Sequence, residues 1–251
     1  MSFVKTPNLP ASKVKFIIID GRISKTTELN LANMGITPIK TLIHKGLYDS
    51  VSFHPDMMLH HIGDNRIVYA PDIDPTLLTQ LTCLGFDMIK GMTYLSSSYP
   101  NNIAYNAARI GKYVVHNFKY TDPILKKQLE SDDLEFIDVK QGYTKCSICI
   151  LTHTAVITSD KGIEKSLSKN NLDVLLIEPD NNILLPGLDL GFIGGCTGKS
   201  DAKTLLINGD LSMLKSCNEI RSFAKKHGVY IKSLSEQNPI DIGSILPIFE
   251  S

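Results

Sequence analysis

The 251-residue sequence predicts an α/β fold: a ring of five pseudo-symmetric strand–strand–helix–strand units around a central axis, closed by the C-terminal strand. Three observations lead there. Short apolar strands recur at intervals of roughly 40 to 50 residues, a spacing typical of repeat architectures. A capped, helix-compatible segment and a second strand follow each of them. A further strand with a matching polar and small pattern precedes most of them.

The recurring central strands are KFIIID (15–20), RIVYAP (66–71), KYVVHN (112–117), TAVITSD (154–160) and TLLING (204–209). Their β-branched and apolar content suits a buried sheet. Helices are expected to open at DGRISKTTELN, DIDPTLLTQL, TDPILKKQL, SDKGIEKSL and GDLSMLKSCNEI. Asp and Ser suit the cap because their side-chain oxygens accept free backbone N–H groups. Pro75 and Pro123 suit the first turn, where a missing N–H costs nothing. The strands after the helices read GITPIKT, GFDMIKG, LEFIDV, LDVLLI and GVYIKSL. Gly35, Gly85 and Gly228 stand where a left-handed helix stop belongs.

The preceding strands are expected at PDMMLHHI (55–62), NNIAYNAA (101–108), CSICILTH (146–153), LDLGFIGG (188–195) and IDIGSILP (240–247). They align in a polar column of Asp56, Asn102, Ser147, Asp189 and Asp241. Two residues on comes a mostly small column: Met58, Ala104, Cys149, Gly191 and Gly243. Residues two apart share one side of a strand. The units start near residues 13, 53, 99, 143 and 186, and 239–250 closes the ring, making 1–251 one domain. Pairing the two ends of the chain removes an exposed sheet edge.

Composition narrows the function classes. Lys plus Arg and Asp plus Glu are 26 each, so no global positive field draws the chain to nucleic acid or anionic membrane. No basic run carries interleaved aromatics. The longest apolar runs, such as FIIID and LLPGL, are too short to span a bilayer, and MSFVKTPNLPASKVK lacks a signal-peptide core. Five scattered cysteines, at 83, 146, 149, 196 and 217, read as reduced thiols in a cytoplasmic protein. Cys146 and Cys149 form a C-x-x-C with no second ligand pair. It lies in CSICILTHTAVIT, which reads as a strand with two thiols facing different neighbours.

A ring of this kind resembles the pentein fold, shared by arginine deiminases, dimethylarginine hydrolases and amidinotransferases, the guanidino-group-modifying superfamily, and by a non-catalytic ribosome anti-association factor. The resemblance runs from about residue 13 to 250. The stretches YPNNIAYNAARIGKYVVHN and DLGFIGGCTGK are similar to a bacterial family within that fold. The resemblance implies a C-terminal cysteine that attacks a guanidinium carbon, a histidine for acid–base work, and carboxylates that hold the guanidinium. Here NPIDIGSILPIFES has no cysteine, and the nearest candidate is Ser244. HPD (His54, Asp56) has the superfamily's His-x-Asp form, but in the second unit.

In a closed ring the polar column converges near the axis. Like charges brought together disfavour simultaneous ionisation unless a cation compensates. Asp56, Asp189 and Asp241 therefore predict a cationic guest: guanidinium, ammonium, a metal, or a Lys or Arg of the protein itself. Asp56, Asn102, Asp189, Asp241, His60 and Ser244 are the candidate ligand contacts. The candidate catalytic residues are His54, Cys149 and Cys196. Cys149 belongs to the small column. Cys196 lies in GGCTGK, where the glycines would expose it. A reactive thiolate needs a nearby base or cation, and Lys145 and Lys199 are close in sequence. No metal is assigned. Adjacent His60 and His61 point to opposite faces of a strand, and His54, Asp56 and His60, which share parity, lack a fourth ligand. No cofactor is expected.

The leading expectation is an axial acidic pocket for a small cationic, guanidino or amino-acid-like molecule, with hydrolysis or transfer at a carbon–nitrogen bond left open. The competing one is a non-catalytic, macromolecule-binding protein of the same fold.

Overall fold

In the computed structural model, which describes residues 1–251, the chain builds five small sheets. The first unit contains β1 (Ser2–Phe3), β2 (Val14–Ile19), α1 (Lys25–Asn33) and β3 (Thr37–Lys40). The second runs α2 (Pro55–Met58), β4 (Leu59–Gly63), β5 (Arg66–Tyr69), α3 (Pro75–Cys83) and β6 (Asp87–Lys90). The third has β7 (Ala108–Ile110), β8 (Tyr113–His116), α4 (Pro123–Glu130) and β9 (Glu135–Asp138). The fourth has α5 (Thr144–Ser147), β10 (Ile148–Ile150), β11 (Ala155–Thr158), α6 (Lys161–Lys169) and β12 (Asp173–Leu176). The fifth has β13 (Thr197–Lys199), β14 (Thr204–Ile207), α7 (Cys217–Lys226) and β15 (Tyr230–Ser233), and β16 (Leu246–Glu250) ends the chain.

Each sheet repeats one plan. A strand pairs antiparallel with the central strand, which pairs parallel with the strand beyond the helix. In the first unit the antiparallel partner of β2 is β16, with Leu246 opposite Ile18 and Phe249 opposite Phe16. β1 pairs along the other side of β16. The ring of five is therefore closed by the chain's two ends, as the repeat predicts.

Local chemistry explains the helices. Asp122 Oδ1 accepts from the Ile124 and Leu125 amides at 2.9 and 3.0 Å, ahead of Pro123. Asp74 and Asp160 cap α3 and α6 in the same way, and Ser24 caps α1. The helices bury pairs four residues apart: Leu77 and Leu81, Leu125 and Leu129, Ile163 and Leu167, Ile220 and Ala224. Such a stripe turns one face to the sheet, and each large aliphatic buried contributes about 1.5–3 kcal/mol. Gly35, Gly85 and Gly228 stop their helices at positive φ as expected; Asp133 and Asn171 take that conformation in the third and fourth units. No helix is long and apolar enough to cross a membrane.

The antiparallel strands differ from the sequence expectation in their beginnings. Pro55–Met58 and Thr144–Ser147 are helical turns, and Gly194–Cys196 is a 3-10 turn. The proline at the start of α2 and the glycines of the fifth unit suit such turns better than extended chain. Sheet register sets the equivalences: Leu59 pairs Tyr69, Ile148 pairs Thr158 and Thr197 pairs Ile207, with Ala107 and Ile245 in the same places by continuation. The residues equivalent to Asp56 are thus Ala104, Lys145, Gly194 and Ile242. The expected column is offset: Asn102 and Asp189 come early, Ser147 late, Asp241 one residue early. Cys146 lies in the α5 turn and only Cys149 lies in a strand.

Candidate functional site

The inward turns bring a buried polar cluster to the axis. α2 supplies Asp56, α5 supplies Lys145 and Cys146, and the segment before β16 supplies Asp241 and Ser244. Lys145 Nζ donates to Ser244 Oγ at 2.8 Å, and Ser244 Oγ donates to Asp56 Oδ2 at 2.8 Å. Cys146 Sγ lies 3.1 and 3.3 Å from the two Asp56 oxygens. Asn106 locks this arrangement, donating from Nδ2 to the Asp56 carbonyl at 3.1 Å and accepting the Lys145 amide at 2.9 Å. Ser244 sits at φ +75°, a left-handed conformation that a serine adopts only under constraint.

Asp241 Oδ2 accepts from the Phe192 amide at 2.9 Å and Oδ1 from the Gly243 amide at 3.0 Å. His54 stands between two aspartates, with Nδ1 3.9 Å from Asp241 Oδ1 and Nε2 4.0 Å from Asp20 Oδ2. Neither ring nitrogen has a hydrogen-bond partner, although the residue is fully buried.

Burial governs the protonation states. It pushes the Asp241 carboxyl up to about 7, against the Phe192 N–H. It raises Asp56 also, opposed chiefly by the Lys145 ammonium. Lys145 is lowered by burial and held up by Asp56. His54 falls to about 3 through burial and then through Arg22, so its imidazole is neutral. Burial and the Asp56 charge keep Cys146 a thiol.

Among the guests the clustered carboxylates call for, the one at the axis is the protein's own Lys145. Beside Asp56, His60 and Lys145 a cavity of about 20 Å³ remains, room for roughly one water. On another side lie the rings of Tyr143 and Phe192, 6.3 Å apart, and Asn102 Nδ2 donates to Tyr143 Oη at 2.8 Å.

A larger cleft of about 710 Å³ opens at the carboxyl ends of β2 and β14. Asp20, Asp210, Glu236 and Asp241 line it, and Arg22 is its sole basic residue. Arg22 is committed elsewhere: Nη2 bonds Asp20 Oδ2 at 2.7 Å and the Ser50 carbonyl at 3.0 Å, and Nη1 bonds the Asp49 carbonyl at 2.8 Å. Asp241 belongs to both cleft and axial cluster.

Of the residues singled out in the sequence, His54, Asp56, Asp241 and Ser244 come together. His60 lines the small cavity, and its Nε2 has no partner. Asn102 is buried beneath Tyr143. Asp189 is exposed on the segment between β12 and β13, outside the cluster. Cys149 and Cys196 share an apolar cluster with Leu151, Ile157 and Ile193. Burial lifts the Cys149 thiol to about 11, and Cys196 Sγ reaches only the Phe192 carbonyl, at 3.4 Å. Lys199, the expected activator of Cys196, spends its ammonium on the Leu151 and Ala202 carbonyls. Nothing in the sequence singles out Asp20, Arg22 or Asn106; Lys145 stands out there only as a cation near Cys149, and Cys146 only as half of a C-x-x-C that reads as strand. His54, Asp56 and Cys146 offer metal-ligand atoms within 4.8 Å of one another.

A family model, that of the family of unknown function DUF6873, matches residues 18–246. No curated protein matches the sequence. Several solved structures share the fold. The amidinotransferase SxtG from Microseira wollei, of the saxitoxin biosynthetic pathway, is 13% identical with a TM-score of 0.61, over 93% of this chain and 91% of that one. The agmatine deiminase of C. jejuni, with substrate bound, is 8% identical with a TM-score of 0.60, over 99% and 96%. DDAH from Pseudomonas aeruginosa, complexed with citrulline, is 9% identical with a TM-score of 0.55, over 89% and 92%. The five-sheet ring is the pentein fold of these structures.

Proposed function

The chain belongs to the DUF6873 family, and we propose that it binds a small cationic, guanidino or amino-acid-like molecule in the cleft at the ends of β2 and β14. One observation carries the reading. The cleft presents four carboxylates, and its single cation, Arg22, has its guanidinium engaged by Asp20 and by two backbone carbonyls. With Asp20 paired to Arg22 and Asp241 buried, Asp210 and Glu236 supply the negative charge that favours a cationic guest. Crevices beyond the carboxyl ends of strands are common ligand sites in α/β sheets. Proteins of this fold that act as an amidinotransferase and an agmatine deiminase lend support at the level of ligand chemistry.

The reading is one of binding. No cysteine lines the cleft. Cys149 and Cys196 lie in apolar surroundings, and Ser244 and Cys146 are buried and line neither the cleft nor the water-sized cavity. Melting in the presence of arginine, agmatine and spermidine, with citrulline as the uncharged-side-chain control, tests it. The cationic compounds are expected to raise Tm by several degrees at saturating concentration. Asp210→Asn with Glu236→Gln should abolish the rise while leaving the unliganded Tm close to that of the parent. No shift with any cation would remove the proposal.

A further inference from the structure

We propose that His54, Asp56 and Cys146 form a buried site for a zinc-class transition metal at the ring axis, oriented by Asp241 and Asp20. The site shares Asp20 and Asp241 with the wall of the cleft but none of the cleft's test compounds.

The strongest observation is the orphaned histidine. His54 is 0% exposed and neither ring nitrogen has a partner. A buried nitrogen left without a hydrogen bond is destabilising, so native proteins seldom keep one. A metal ion satisfies such a nitrogen through its lone pair. Whichever nitrogen binds, the other faces a carboxylate, Asp241 at 3.9 Å from Nδ1 or Asp20 at 4.0 Å from Nε2. A carboxylate behind the imidazole is the usual support of a ligating histidine.

The donor set is the second observation. Imidazole nitrogen, carboxylate oxygen and thiol sulfur lie within 4.8 Å of one another. Cys146 Sγ is 3.1 Å from Asp56 Oδ2. Tetrahedral zinc, with Zn–S near 2.3 Å and Zn–O near 2.0 Å, would separate these two atoms by about 3.5 Å. A shift of a few tenths of an ångström at this pair, with a closer approach of the ring, completes the geometry. Calcium and magnesium prefer oxygen alone; a mixed nitrogen, oxygen and sulfur set selects zinc or cobalt. A water would complete the four-coordinate set.

Three carboxylates, Asp20, Asp56 and Asp241, stand at or beside the site, and a dication compensates carboxylates brought together. On loading, the Cys146 S–H bond breaks, its proton leaves to solvent, and the sulfur lone pair forms the bond to the metal. The sequence could not assemble this set, because Cys146 reaches Asp56 across 90 residues.

The ligands are buried, so the metal must enter during folding. The full chain, unfolded in guanidinium with chelator, then desalted and refolded with one equivalent of Co²⁺, should show a thiolate-to-cobalt charge-transfer band and the visible bands of four-coordinate cobalt. Zn²⁺ should displace them at one ion per chain. Cys146→Ser should lose the charge-transfer band, whereas Cys149→Ser and Cys196→Ser should keep it. Asp241→Asn, which leaves the three ligands in place, should weaken Co²⁺ binding about 10- to 100-fold. Circular dichroism of each variant separates loss of the site from failure to fold, and the Zn²⁺-dependent rise in the parent's Tm reads the same site without mutation. A refolded parent that retains no metal, or a charge-transfer band that survives Cys146→Ser, would overturn the proposal.

Discussion

Lys145 Nζ reaches Ser244 Oγ at 2.8 Å across 99 residues of sequence, and Ser244 hands the contact on to Asp56. A lysine that a sequence reader would place on the surface is instead 5% exposed at the centre of the ring. The hydroxyl between them joins ammonium to carboxylate, so neither charge is buried without a partner. Removing one member of such a group leaves the other desolvated and alone.

Lys145→Met should therefore destabilise the protein by roughly 3–5 kcal/mol. Ser244→Ala, which takes away the bridging hydroxyl and retains the left-handed backbone, should cost about 1–3 kcal/mol. Urea unfolding at pH 7 measures both. If Lys145→Met left the midpoint unchanged, the ammonium would not be compensating the axial carboxylates.

Gly198 tests how closely the last strand seals the ring. An added Cβ there overlaps the backbone carbonyl oxygen of Ile245, which cannot swing aside as a side chain could. Gly198→Ala is expected to cost about 4 kcal/mol or more, among the largest single-site losses. Gly35→Ala meets nothing within 4 Å and bears only the strain of φ +72°, about 1–2 kcal/mol. Thermal melts of the two variants should differ clearly, with Gly198→Ala the lower.

Deleting residues 246–251 removes β16 and uncovers an edge of β2, whose Ile17, Ile18 and Ile19 are all fully buried. An exposed apolar edge is a template for pairing with another chain. The truncated protein should aggregate on size-exclusion chromatography under conditions that leave the full chain discrete. Supplying the segment as a free peptide should restore part of the discrete fraction.

Acid should weaken the fold from about pH 6.5 downward. Burial lowers His60 to about 3 and His61 and His116 to about 4. In the unfolded chain these imidazoles take protons near 6.5. Between the two values the unfolded state binds more protons, so stability rises with pH and falls on acidification, by about 1.4 kcal/mol per pH unit for each histidine. Asp241, raised to about 7, works the other way: its carboxyl is protonated in the native state while the unfolded one is ionised, and this offsets part of the loss. Denaturation midpoints at pH 7.5, 6 and 5 should decrease in that order, and His116→Gln should flatten the slope. A midpoint independent of pH over this range would contradict the neutral buried histidines.

Much of the site was unreadable for a specific reason. The polar column assumed strict alternation through residues 55–62 and 146–153, but Pro55–Met58 and Thr144–Ser147 are helical turns. A turn of four residues shows no period, and each equivalence read through it shifts. Asp56 still arrived at the axis because it lies in one of those turns, and Asp241 because it stands one residue ahead of the equivalent place before β16. Asp189, five residues ahead of its place, came out exposed. Cys146 looked like half of a strand pair and became the thiol that faces Asp56.

The repeat, the helix caps at Asp74, Asp122 and Asp160, the stops at Gly35, Gly85 and Gly228, and closure by the final strand were all determined by the sequence itself. The caps and stops are local signals, enforced by backbone hydrogen bonding and one buried helix face, whereas closure, which sets Leu246 opposite Ile18, follows from the count of repeats. The occupant of the axis was decided by tertiary structure alone. Which cation meets Asp56, and which thiol, depends on how five units meet, and desolvation at that meeting point selects partners that no local pattern records.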